Sequence, residues 1–240
     1  MWSICKKEIS HFFSNLTGYI AIILFLLING IFLFVLQDSS IFEYGYASLD
    51  KFFELSPWIL LFLVPAIAMR ALSDEFKTGT YEILKTKPLS AWQIAGGKYV
   101  SILLVMLFVI IPTLIYIFTI KALSNSGSID GGGIAGSYLG LILLAAVFAA
   151  ISLCCSSFTQ NAVLSFLVSC FACLILYFGF SAISKLPLFQ GNIDFYIEMV
   201  GIDFHYRSIS RGVVDSRDLV YFCSLIFLSL AITVKNLHKK

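Results

Sequence analysis

Cys170 and Cys173 stand in a C-x-x-C pattern, the spacing at which two thiols form a redox pair or half of a zinc site. Such a site needs a second pair or nearby imidazoles, and the sequence supplies neither. The remaining cysteines are Cys5, Cys154, Cys155 and Cys223, and nearly all six fall inside long apolar runs. They read as small apolar side chains, and no metal is expected. Gly97-Lys98 could close a phosphate-binding loop, but Tyr99 follows and the full G-x-x-x-x-G-K-[ST] pattern is absent. His11, His205 and His238 are scattered, and neither H-E-x-x-H nor G-x-S-x-G occurs. The confident apolar runs hold no aspartate or glutamate, which argues against an ion-coupled pump or an intramembrane protease. The chain is therefore expected to be no enzyme by itself and to carry no cofactor.

The stretch from Arg70 to Lys98 is denser in polar chemistry. Thr80 is placed to cap a short helix, and Glu82 sits in its positive first turn. Lys85 and Lys87 complement its last turn, and Pro88 stops it. Before it, Thr78-Gly79 reads as a turn. After it, Ser90 and Gln93 have capping-box spacing and open the next helix. The short helix would be about 12 Å long. It sets Tyr81, Ile83 and Leu84 beside Glu82 and Lys85, a mixture suited to touching a soluble partner. A solvated linker helix would have the same spacing.

These residues must be positioned by membrane helices. Of 240 residues, 59% are hydrophobic and 12% charged, against about 25% charged in soluble domains. Charges are absent from Gly18–Gln37, Leu55–Met69, Tyr99–Ile120, Gly131–Ser184 and Leu219–Val234. Crossing a bilayer takes roughly 20 apolar residues. The fourth run is long enough for two helices, divided at the polar turn 156–161. The reading is an all-α polytopic membrane protein with six spans, near 17–37, 57–76, 98–120, 134–155, 162–183 and 218–235, forming one domain over 17–240. The first run resembles a signal-peptide core but is too long and lacks a cleavage site, so it reads as a retained span. With the N-terminus inside, ten lysines and arginines lie on the inner side and six on the outer. Both termini are expected in the cytoplasm, at the inner membrane. A net charge of +2 suggests no nucleic-acid partner.

Residues 1–16 read as an interfacial amphipathic helix. Trp2, Cys5, Ile9, Phe12, Phe13 and Leu16 share one face, Lys6 and Lys7 flank it, and Ile4 falls off it. Pro57 is expected in the first turn of span two, and Pro65 and Pro112 are expected to kink spans two and three. Gly136-x-x-x-Gly140 permits a close helix contact, within one subunit or between two. Ser124–Ser128 and Gly131–Gly133 read as a flexible outer loop. The aromatic segment following Pro187 is expected to dip into the outer leaflet.

The inner loop EFKTGTYEILKTKPLSAWQIAGGK (Glu75–Lys98) resembles the coupling loop of ABC-2 type permeases, with an acid, T-G-T-x-E-x-L, P-x-S and G-K in order. The N-terminal helix is similar to the connecting helix of that family. EYGYASLDKFFELSPW (Glu43–Trp58) and GIDFHYRSISRGVVDSRDLVYF (Gly201–Phe222) resemble, more narrowly, the gliding-motility-associated ABC permease of Bacteroidetes. The resemblance implies an exporter subunit that pairs with a second copy or a related subunit and binds a separate ATPase. Coupling would then run through Thr78, Gly79, Thr80, Tyr81, Glu82, Leu84, Lys85, Lys87 and Pro88, within the loop 73–98. Two other readings are a permease for metal-centre maturation and a non-transport scaffold of a motility machine.

Overall fold

Asn15 separates the first two helices. The computed structural model describes residues 1–35, 49–123, 130–186 and 192–239. In it α1 (Trp2–Ser14) ends in extended backbone at Asn15, φ −100° and ψ 148°, and α2 (Leu16–Phe34) follows at once. Their axes meet at 70°. The expectations for residues 38–48, for Ser124–Ser128 and for Pro187–Gly191 lie outside the described residues.

α3 (Asp50–Ala68) and α4 (Arg70–Thr78) form one rod of 29 residues, interrupted at Met69. The rod starts seven residues before Pro57, so this proline is inside a helix rather than in its first turn. Pro65 removes one backbone donor, but the lost bond would have reached the Leu61 carbonyl, and Met69 N still donates to the Pro65 carbonyl at 2.9 Å. The interruption at Met69 is made by Ser156, which reaches in from a neighbouring helix. Its hydroxyl accepts from the Leu72 and Ser73 N–H groups, each at 3.1 Å, and donates to the Met69 carbonyl at 3.1 Å. A side chain inserted into the ladder is one of the few causes that interrupt an otherwise continuous helix.

After the short α5 (Thr80–Lys85), α6 (Ala91–Ile110) passes through a 3₁₀ turn (Ile111–Leu114) into α7 (Ile115–Leu123). Pro112 sits in that turn, where the Tyr138 hydroxyl donates to the Thr113 carbonyl at 3.0 Å. α8 (Gly131–Phe158) is the central helix, largely buried, and packs against α3, α6, α9 and the last helix. The N-terminal part of α8 takes in Gly131–Gly133, expected from sequence to be loop; Asp130 caps it by accepting from Gly133 N at 3.0 Å. α9 (Ala162–Leu174) continues through a π turn (Ile175–Gly179) into α10 (Phe180–Ser184). α11 (Asn192–Val200) and α12 (Ile202–Ile209) precede α13 (Ser216–Lys239).

Five rods are long and apolar enough to cross a membrane: Asp50–Thr78, Ala91–Ala122, Gly131–Phe158, Ala162–Ser184 and Ser216–Lys239. The pair α1–α2, bent by 70°, adds a sixth only when its two helices are counted as one span. Every described element is helical, and the protein is a polytopic membrane protein. Its exposed apolar side chains, such as Ile23, Leu27, Val163 and Phe171, face lipid without penalty.

The glycine pair of α8 packs within the subunit. A Cβ on Gly136 would lie 2.9 Å from the Gly212 Cα, and one on Gly140 would lie 2.8 Å from the Ile209 Cγ2. Gly212 is itself in the left-handed region, φ 83°. Two backbones therefore touch where α8 passes the turn after α12, and Ser137 donates across the contact to the Ser210 carbonyl at 2.7 Å. Gly136→Ala is expected to cost about 1–3 kcal/mol through overpacking, read as a lower Tm of the detergent-solubilised protein. Its oligomeric state should not change. Loss of oligomers at unchanged Tm would instead make the glycines an intersubunit contact.

Candidate functional site

Gly79 is the C-terminal cap of α4, in left-handed backbone with φ 71°. That conformation ends a helix without a Cβ penalty and turns the chain directly into α5. Thr78 Oγ1 donates to the Asp74 carbonyl at 2.8 Å and lies 2.9 Å from Thr80 Oγ1. Thr80 thus belongs to the corner as the first helical residue and makes no cap, against the expectation that it would. α5 has six residues, about 9 Å of helix, and Lys87 and Pro88 lie beyond it. The capping box is present: Gln93 N donates to Ser90 Oγ at 3.2 Å, and Ser90 N donates to Gln93 Oε1 at 3.1 Å.

The two faces of α5 are distributed differently from the sequence expectation. Tyr81 is buried, with its hydroxyl donating to the Leu237 carbonyl of α13 at 2.9 Å. Its ring meets Phe76 edge-on at 5.0 Å, and the Lys85 ammonium lies 5.4 Å from the ring centre. Burial, and to a lesser degree the Glu75 carboxylate, pushes the Tyr81 hydroxyl above its usual range, so it remains a donor. Leu84 also turns inward, half-buried against the core. The outward face is Glu82, Ile83, Lys85 and the segment Thr86–Pro88. Ile83, 61% exposed, is the large apolar side chain on it; spacing alone did not single it out.

Beneath this corner lies a buried charge cluster, formed by residues that flank the charge-free runs. Lys98 is 1% exposed. An ammonium has three N–H donors, and here each finds an oxygen. They are Glu75 Oε1 at 2.8 Å, Glu8 Oε1 at 3.1 Å and the Ala71 carbonyl at 2.6 Å. Lys7 closes the group from the surface, 3.6 Å from Glu75 and 3.8 Å from Glu8. Three helices, α1, α4 and α6, thus meet on one saturated cation. The sequence hint was the lone Lys98 after Gly96-Gly97. Gly97 lets α1 approach, since a Cβ there would lie 3.1 Å from the Met1 carbonyl oxygen and 3.2 Å from the Ile4 Cβ.

That seat rotates α1 relative to the expected apolar face. Ile4, placed off the face by spacing, packs inward with Cys5, Glu8 and Phe12. Trp2 is 71% exposed; Lys6 and Lys7 are exposed and Ile9 is half-buried. Phe13 meets Tyr19 at 6.0 Å and Phe108 at 5.5 Å. α1 is therefore docked on α6 by charge as much as by apolar contact.

Three links join this end of the molecule: Lys98 to α1 and α4, Tyr81 to α13, and Asn236 of α13 to the Ser157 carbonyl at 2.6 Å. Both termini and the α4–α5 corner accordingly share one end. At the opposite end His205 is buried between two acceptors. Its Nδ1 lies 2.6 Å from Asp218 Oδ1, its Nε2 lies 2.9 Å from the Met199 carbonyl, and its ring stacks on Tyr221 at 3.9 Å. Tyr206 beside it donates to the Phe53 carbonyl at 2.7 Å. This group pins α12 to α3 and α13.

The corner presents a small surface of mixed charge and is tied to the bundle through Tyr81 and Lys98. A family model described as ABC-2 family transporter protein matches residues 38–197, which is 160 of the 240 residues. The match contains α3 to α10 and the whole α4–α5 corner. No curated protein matches the chain.

Proposed function

The chain belongs to the ABC-2 family of transporter proteins, and from that premise we propose that it is the permease subunit of an ATP-driven exporter whose ATPase is a separate polypeptide. The ATPase docks on the outward face of α5. The observation that carries this reading is the division of α5 into two faces. Tyr81 and Leu84 fasten the corner to the membrane bundle, while Ile83 stands exposed between Glu82 and Lys85. An exposed apolar anchor among charges of both signs is the composition of a small docking surface. The loop 73–98, with Thr78, Gly79, Thr80, Lys87 and Pro88 around the helix, is the coupling segment, and movement pressed on it passes to α13 through Tyr81 and to α1 through Lys98.

In this reading both termini and α5 are cytoplasmic, because the lysine and arginine excess lies at that end. The bundle pairs with a second copy or a related subunit at the inner membrane. Association with gliding motility or secretion is supported by the resemblance of Gly201–Phe222, the segment folded as α12, the His205–Asp218 pair and the start of α13.

The test separates docking from transmission. The double variant Glu82→Arg, Ile83→Asp should lower ATPase co-purification about tenfold, the loss of roughly 1.4 kcal/mol, without changing membrane abundance. Tyr81→Phe keeps the docking surface and removes only the bond to α13. It should retain the ATPase while lowering transport-dependent phenotype. If the double variant keeps its ATPase and full function, α5 is a linker and the docking assignment fails.

A further inference from the structure

A groove of about 940 Å³ runs between α2, α3–α4 and α6, with α1 across its mouth. One wall is one side of the α3–α4 rod. Ile59, Phe62 and Ala66 make it apolar, and Arg70 and Asp74 continue it past Met69, at steps of three and then four residues. The opposite wall is Leu24 and Ile28 of α2. Phe62 is 54% exposed and Leu24 46%, so protein does not fill the space between them. The change from apolar to charged lining falls where α1 lies.

The charges at the mouth are not equivalent. Glu8 and Glu75 are occupied by Lys98 and Lys7. Arg70 and Asp74 form no ion pair with each other or with any described residue. They stand one turn apart on the groove face, about 5–6 Å between Cβ atoms. A guanidinium takes a phosphate in a bidentate fork, and a carboxylate takes an ammonium. Such a pair fits a headgroup that carries both ions on a short linker.

We propose that this groove binds one phospholipid of the surrounding bilayer with a phosphoethanolamine headgroup. The phosphate rests on Arg70, the ammonium on Asp74, and the acyl chains lie between Leu24 and Phe62. The proposal needs only the membrane fold and stands whether or not an ATPase docks on α5.

Full-length protein reconstituted with equal phosphatidylethanolamine and phosphatidylglycerol, then released into native mass spectrometry, reports the retained lipid directly. One phosphatidylethanolamine per chain is expected, preferred about tenfold, a difference of roughly 1.4 kcal/mol. Asp74→Asn should retain lipid but lose the preference, because both headgroups carry phosphate and only one carries an amine. Arg70→Ala should lower retention of both. Ala66→Trp, which fills the groove, should abolish retention, and the two charge variants at the groove's rim serve where it does not fold. Unchanged retention and preference in the Arg70 and Asp74 variants would overturn the proposal. So would a photoreactive residue at position 62 that crosslinks a second copy of the chain and not lipid.

Discussion

Lys98→Met is expected to lower stability by about 3 kcal/mol and to free α1 from the bundle. Removing one partner from a buried ion pair costs about 3–5 kcal/mol, because the other charge is left without compensation. Here two carboxylates are left. Glu75 is buried, and its Oε2 already lacks a hydrogen-bond partner. Glu8 retains 20% side-chain exposure, which places the cost at the lower end of the range. Lys7 is too far out to replace three short bonds, since it stands 3.6 and 3.8 Å from the two acids with 64% of its side chain exposed. The measurement is Tm in detergent together with limited proteolysis near Asn15, where cleavage should accelerate. Adding Glu8→Gln and Glu75→Gln to Lys98→Met removes the stranded charges and should recover much of the loss. A single variant with wild-type Tm and an uncut α1 would show that the cluster does not hold that helix.

His205→Ala should cost about 3–5 kcal/mol on the same grounds, with the damage at the opposite end. The proton count explains why this pair is unforgiving. The Met199 carbonyl can only accept, so Nε2 carries a proton, and Nδ1 and Asp218 Oδ1 share another at 2.6 Å. Alanine would leave Asp218 buried with both oxygens unpartnered, since Oδ2 has no hydrogen-bond partner already. It would also uncover the Tyr221 ring that the imidazole stacks on. Asp218→Asn should be milder, because an amide N–H can donate to a neutral Nδ1. Hydrogen exchange should rise across α12 and the first turns of α13, while the α1–α6 contact stays protected. Equal protection in His205→Ala and the wild type would reduce the pair to an incidental contact.

The all-helical membrane fold was legible in the residues before any coordinates. Charge-free runs near 20 residues long have few alternatives in a bilayer, because an unpaired backbone group cannot be left in hydrocarbon. The Ser90–Gln93 box and the stop at Pro88 were equally legible, since their chemistry is local and depends on neighbours within four residues. The polar loop 70–98 was legible by the same means, and the family match over 38–197 contains it.

What the sequence could not determine is which side of each short helix faces inward. α5 has six residues, too few for periodicity to choose between Tyr81 and Ile83 as the outward residue. The choice was made by the Leu237 carbonyl, 156 residues away. The apolar arc drawn on α1 missed Ile4 and Glu8 for a related reason. A glutamate counts as polar until a buried lysine on another helix gives it a partner, and Lys98 is 90 residues from Glu8. The break at Met69 follows the same pattern: Ser156, on another helix, decides where the ladder opens. Spacing along the chain therefore determined the spans and the loop that joins them, because bilayer thickness and local capping act on contiguous residues. The tertiary structure alone decided which charges pair and which face of α5 is free, because those bonds join different helices, from 23 positions apart for Lys98 and Glu75 to 156 for Tyr81 and Leu237.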